Sequence, residues 1–72
     1  MKAYVLVNVR AGKSPEVLTA LRHIDAVKIA HACWGRPDIF ALVEVRNERA
    51  LEHLVIEKVQ SIDGIECTGT HI

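Results

Sequence analysis

The residues that could do chemistry are concentrated in one short segment, Trp34-Gly35-Arg36-Pro37-Asp38. It brings together an indole, a guanidinium and a carboxylate, which are suited to an apolar group, an anion and a cation respectively. Gly tolerates a positive φ, whereas Pro fixes φ and cannot donate a backbone hydrogen bond, so the segment is typical of a turn. A plain turn needs none of the other three side chains.

A second candidate is Thr68-Gly69-Thr70, near the end of the chain. Thr is an ordinary residue on an exposed strand face, and Asp after Pro is ordinary in a turn. Taken one at a time, each segment is therefore explained by its structural role alone.

Other kinds of site find less support. The four histidines fall on different predicted elements, and Cys33 and Cys67 form no C-x-x-C pair; we therefore predict no metal site and no cofactor. Neither cysteine has a His placed to activate it, so both thiols are interpreted as small packed hydrophobes without a catalytic role. The segment Arg10-Ala11-Gly12-Lys13 is too short to be a phosphate-binding loop, and no Gly-rich nucleotide loop is present.

Size and composition limit the remaining possibilities. The chain has 72 residues, half of them hydrophobic, and nine basic side chains balance nine acidic ones. We expect a single domain over residues 1–72 without a DNA-binding domain, and no direct contact with nucleic acid because there is no basic surplus. No signal peptide and no membrane-spanning run is present, and with only two cysteines we expect a cytoplasmic protein. So small a domain buries only about 60% of its unfolded surface, which favours an oligomer.

The pattern of apolar residues predicts the elements that position these segments. Ser14 is a candidate N-cap with Pro15 at the first helical position, Asn47 is a second N-cap, and Asp63-Gly64 is expected to end the second helix. The second helix buries a stripe made of Leu51, Leu54, Val55, the stem of Lys58 and Ile62. The predicted elements are a strand at 2–10, a helix at about 14–23, hairpin strands at roughly 26–34 and 39–46, a helix at 48–59 and a strand at 65–72.

The order β-α-β-β-α-β predicts an α+β, ferredoxin-like fold with the first and third strands in the middle of the sheet. Both helices are expected on one face, which takes Val5, Val7, Val9, Ala41, Val43 and Val45. The other face carries four large apolar residues, Tyr4, Leu6, Phe40 and Leu42. Because an exposed apolar patch marks an interface, we predict that two sheets pack face to face in a dimeric α/β-barrel. At ~25 cal/mol per Å2, this burial contributes several kcal/mol per subunit.

Together, the candidate segments resemble a known family. Gly35-x-x-Asp38, then an apolar strand, a helix and Ile62-Asp63-Gly64-Ile65-Glu66-Cys67-Thr68-Gly69-Thr70, is similar to the effector-binding (RAM) domain of Lrp/AsnC, or feast/famine, transcription regulators. The resemblance covers nearly the whole chain. It implies dimers formed through the sheets, rings of such dimers, and a small effector, typically an amino acid, held between dimers.

The resemblance also implies the ligand-binding residues Gly35, Asp38, Thr68 and Thr70. To these, chemistry adds Trp34 for an apolar side chain and Arg36 for an α-carboxylate. No helix-turn-helix precedes the first strand in this sequence. The expected function is therefore that of a non-catalytic, oligomeric sensor of amino acids, or a modulator of full-length Lrp/AsnC regulators.

Two alternatives stay open. One is a dimeric α/β-barrel enzyme, such as a small monooxygenase or isomerase, with His31 or His53 as the base. The other is a purely structural oligomerisation module whose effector site has decayed.

Overall fold

The computed structural model describes residues 1–72 as one four-stranded sheet covered on one face by helices. Across the sheet the second strand along the chain is followed by the third, the first and the fourth, and every neighbouring pair is antiparallel. This confirms the ferredoxin-like fold, with the first and third strands central. The elements are β1 (Lys2–Val9), α1 (Ser14–Arg22), β2 (Val27–Ala32), β3 (Ile39–Glu44), α2 (Glu48–His53), a π-helical turn that continues α2 (Leu54–Val59) and β4 (Ile65–His71).

The core lies between the sheet and the helices. Alternate residues of the two central strands are buried there, because successive side chains of a strand point to opposite faces. On the sheet side the core consists of Ala3, Val5, Val7, Val9, Val27, Ala30, Ile39, Ala41 and Val43. The set predicted for this face is confirmed except for Val45, which lies just past β3 and is only partly buried.

The helix boundaries follow local capping, and one of the two predicted caps is present. Asn47 caps α2, since its Oδ1 accepts a hydrogen bond from the backbone N–H of Ala50 at 2.8 Å. The prediction for Ser14 is wrong: α1 already includes Ser14, and Lys13 stands at the N-cap without a side-chain hydrogen bond.

The second helix widens in its second half. The backbone N–H of Gln60 donates to the carbonyl of Val55 at 2.8 Å, a bond that spans five residues instead of four. Val59 is fully buried in this turn, whereas Lys58, predicted to cover the core with its stem, is exposed. The wider turn accounts for this shift of the buried stripe by one residue.

Gly64 has a different role from the predicted one. The helix ends at Val59, before Gly64, and Gly64 lies in the turn that leads into β4. Its φ is +104°, and a Cβ there would lie 2.9 Å from the Cβ of Lys13 and 3.1 Å from Cγ2 of Val17. Glycine is therefore required both by the backbone conformation and by the close approach of α1.

Candidate functional site

The hairpin loop predicted from the sequence connects β2 and β3. It is longer than the four residues expected, because β2 ends at Ala32 and β3 begins at Ile39. A hydrogen bond from the backbone N–H of Cys33 to the carbonyl of Asp38, 2.8 Å long, closes it. Gly35 has a φ of +95°, and no atom lies within 4 Å of the position that a Cβ would take there. Glycine is therefore favoured at this position by the backbone conformation and not by crowding. The Arg36–Pro37 peptide bond is cis.

Asp38 fixes this loop to the central strand β1. Its carboxylate Oδ2 accepts a hydrogen bond from the backbone N–H of Val9 at 2.8 Å, and its own N–H donates to the carbonyl of Val7 at 3.0 Å. The same Oδ2 accepts from Nη1 of Arg36 at 3.0 Å. The other carboxylate oxygen, Oδ1, makes no hydrogen bond within the chain, and the side chain is 26% exposed. Asp38 is thus structural through one oxygen and free to accept a ligand hydrogen bond through the other.

Arg36 connects the loop to the edge strand β4. Its Nη2 lies 3.5 Å from Oε1 of Glu66, while Nη1 contacts Asp38. The guanidinium thus lies between two carboxylates and is still largely exposed. Sequence reasoning gave Glu66 no role, because the contact depends on an irregularity at the start of β4: Cys67 pairs with Asn8 and Ile65 with Val9, so Glu66 between them is left without a partner on β1.

Trp34, at the loop, is fully exposed. The only aromatic ring pair in the chain, Tyr4 with Phe40, does not involve it. Burial of an indole is strongly favourable, and Trp34 gains none of this stabilisation within the chain. The packing of this chain therefore does not explain why a Trp occupies position 34.

The two threonines lie on β4 and share the helix side of the sheet. Thr68 pairs with Val7 and Thr70 with Val5, two residues whose side chains are buried under the helices. Oγ1 of Thr68 accepts a hydrogen bond from Nε2 of Gln60 at 3.0 Å. Asp38 and Thr68 adjoin Val7 from opposite sides, so two strand spacings, about 10 Å, separate them. Within one chain, the structure does not bring the threonines into contact with the loop.

The helix-free face of the sheet carries the predicted apolar patch. Tyr4 faces Leu42 across β1 and β3, Leu6 faces Phe40, and the rings of Tyr4 and Phe40 are 5.0 Å apart. Both rings are exposed, and Ile29 on β2, also exposed, pairs with Leu42 and extends the patch. These residues form a continuous hydrophobic surface that nothing in this chain covers.

Other candidate groups are dispersed. No three His, Cys, Asp or Glu side chains are placed to hold a metal ion. Cys33 and Cys67 are both free and exposed, which corrects the interpretation of packed thiols. His53 lines an open groove of about 420 Å3 between the end of α1 and the second helix, and His31 lines one of about 430 Å3 beside β2. None of the loop residues or threonines lines a groove within the chain.

No helix in the structure is both long and apolar enough to cross a membrane.

Comparison with known proteins identifies the family. A family model described as the Lrp/AsnC ligand binding domain matches residues 2–72. An uncharacterized HTH-type transcriptional regulator of Pyrococcus abyssi is 33% identical over 70 residues, which make up 97% of this chain and 44% of the regulator. The regulatory protein AsnC of Escherichia coli is 40% identical over 58 residues, or 81% of this chain and 38% of AsnC.

The solved structures agree. E. coli AsnC superposes with a TM-score of 0.90 at 33% identity, over 96% of this chain and 47% of that one. A transcriptional regulator of Neisseria meningitidis, solved in complex with L-Met, superposes over 96% of this chain and 46% of its own length, with a TM-score of 0.84; at 21% identity it shows a shared fold only. This chain thus spans less than half the length of each of these regulators. On its sequence, its matched family model and its fold, the chain belongs to the Lrp/AsnC ligand-binding domain family.

Proposed function

We propose that this chain binds a small amino acid at the hairpin loop and is a non-catalytic sensor or modulator of Lrp/AsnC-type regulators. The observation that carries the proposal is the convergence of an indole, a guanidinium and a free carboxylate oxygen on one exposed loop of a Lrp/AsnC ligand-binding domain. In this arrangement Arg36 contacts the α-carboxylate and Oδ1 of Asp38 accepts from the ammonium group. Trp34 covers the ligand's side chain.

A second copy of the chain completes the site. The loop residues line no groove within one chain, and the threonines Thr68 and Thr70 lie two strands away from Asp38. A ligand at the loop is therefore open to water unless another subunit covers it. The helix-free face, with Tyr4 and Phe40 exposed, supplies the surface for dimer formation, and dimers associate further through the loops.

Trp34 makes the proposal directly measurable, since it is the only Trp in the sequence and is fully exposed. Each common L-amino acid other than Trp and Tyr, which fluoresce themselves, is titrated into the purified protein while the intrinsic fluorescence of the protein is recorded. A ligand at the loop is expected to give a saturable blue shift, because the indole leaves water.

Thermal unfolding in the same panel is an independent measurement. A ligand at ten times its Kd stabilises the folded state by about 1.4 kcal/mol. In a domain of this size this raises Tm by about 6–11 °C. Arg36→Gln should abolish both responses, whereas Arg46→Gln, which changes an exposed arginine outside the loop, should leave them intact. A protein of native oligomeric state that responds to no amino acid by either measurement would contradict the proposal.

A further inference from the structure

The guanidinium of Arg36 is held by two carboxylates of its own chain. Nη1 contacts Oδ2 of Asp38 at 3.0 Å, and Nη2 lies 3.5 Å from Oε1 of Glu66. Asp38 is also fixed by the backbone N–H of Val9, whereas the side chain of Glu66 makes no other hydrogen bond or ion pair. The side chains of Arg36 and Glu66 are 63% and 48% exposed, so water and solutes reach this pair from outside. Glu66 is therefore the exchangeable partner of Arg36.

A ligand carboxylate would compete for the same nitrogen. Arginine binds a carboxylate best through two parallel N–H groups, a geometry that uses two nitrogens of the guanidinium at once. With Nη1 on Asp38 and Nη2 3.5 Å from Glu66, the two terminal nitrogens that such a pair would use each already face a carboxylate of this chain. One positive and two negative charges leave a net charge of −1 around the guanidinium, which repels a further anion.

We propose that Glu66 is a specificity-determining residue that competes internally with the ligand carboxylate for Arg36. The inference rests on the proposed function, because it assigns Arg36 to an α-carboxylate. A ligand must displace Glu66 from Arg36, which lowers the affinity for every ligand with an α-carboxylate. Ligands with a second carboxylate are disfavoured further, because the net negative charge around the guanidinium repels it. The loop therefore selects amino acids with uncharged or basic side chains over those with acidic ones.

The test removes the competing charge and keeps the shape of the side chain. The probe is the L-amino acid that gives the largest thermal shift, and its Kd for wild type and Glu66→Gln is measured by titration calorimetry. Exposed ion pairs of this kind are weak, so we expect the variant to bind about 1.5- to 5-fold more tightly. The gain should shrink at high ionic strength, because salt screens an exposed pair.

Asp63→Asn is the matched control. It removes one carboxylate in the turn before β4, but Asp63 is paired with Arg10 and Lys13 instead of Arg36. The overall charge changes equally in both variants, so an effect of net charge alone would appear in both. Only competition at Arg36 predicts a gain confined to Glu66→Gln.

A change in the ligand completes the design. The C-terminal amide of the same amino acid has no carboxylate, so any binding that it retains should be equal in wild type and Glu66→Gln. An unchanged Kd for the amino acid in Glu66→Gln, an equal gain in Asp63→Asn, or an equal gain with the amide would each overturn the inference while ligand binding itself stands. Weaker binding by Glu66→Gln would also overturn it, since Glu66 would then contact the ligand directly. If no amino acid binds wild type or Glu66→Gln, the proposed function fails first and the inference with it.

Discussion

Asp38→Ala should destabilise the protein even without ligand, because the carboxylate fixes the hairpin loop to β1. The substitution removes the acceptor of the Val9 N–H, a partly buried bond of 2.8 Å at a residue whose side chain is buried. A buried donor left without a partner costs about 1–3 kcal/mol. The lost ion pair with the exposed Arg36 adds at most about 1 kcal/mol. We expect a loss of about 2 kcal/mol in the free energy of unfolding, or roughly 8–16 °C in Tm for a domain of this size.

The assay is urea and thermal unfolding followed by circular dichroism, at one protein concentration because the stability of an oligomer depends on it. Asp63→Ala is the control: Asp63 is 82% exposed and makes only surface ion pairs, so we expect a change within about 0.5 kcal/mol. Asp38→Asn should lie in between, since an amide oxygen still accepts from Val9 but carries no charge. The structural role assigned to Asp38 is refuted if Asp38→Ala is no less stable than Asp63→Ala.

The remaining predictions concern packing and assembly. Gly64→Ala should lower the free energy of unfolding by about 1–3 kcal/mol, because a positive φ is unfavourable for Ala and the added Cβ would overlap that of Lys13. Gly12→Ala also has a positive φ but open space around it, so equal losses in the two variants would show that crowding plays no part. Phe40→Asp should convert a dimer into monomers in light scattering. Ile56→Asp, at an even more exposed apolar residue on the helix side, should not, and equal effects would contradict an interface on the sheet. Asn47→Ala should lower the unfolding free energy by about 0.5–2 kcal/mol through loss of its N-cap bond, measured by urea unfolding.

The fold could be predicted from the sequence because its signals are local and repeat along the chain. Strict alternation in β1 separates the residues that pack under the helices from those on the opposite face. Asn47 could be identified as a cap because the bond to the N–H of Ala50 depends on only a few consecutive residues. At Ser14 the same reasoning was wrong, since the helix begins one residue earlier than the capping pattern indicates.

The candidate site could be predicted only in part, because its contacts join distant segments. The sequence placed Trp34, Arg36 and Asp38 on one loop. It did not show that Asp38 accepts from Val9, 29 residues away, or that Arg36 reaches Glu66 on β4. Both contacts depend on strand register and on side-chain rotamers, neither of which an apolar pattern specifies. The widened turn at Leu54–Val59 was missed for a similar reason, since α-helical and π-helical spacing differ by a single residue there.

The structure changes which residues support the presence of a ligand-binding site. Gly35 is explained by its φ of +95°, and Asp38 is explained through Oδ2 by the hydrogen bond that fixes the hairpin loop to β1. Both would be needed by the fold without any ligand, so a G-x-x-D pattern by itself does not separate a working site from a decayed one. Trp34 is different, because no packing within the chain requires an exposed indole. Arg36, in contrast, already bridges Asp38 and Glu66. Loops that only join dimers would also bury Trp34, so a purely structural oligomerisation module differs from a working site in the fluorescence of Trp34, which shifts with an amino acid only in a working site.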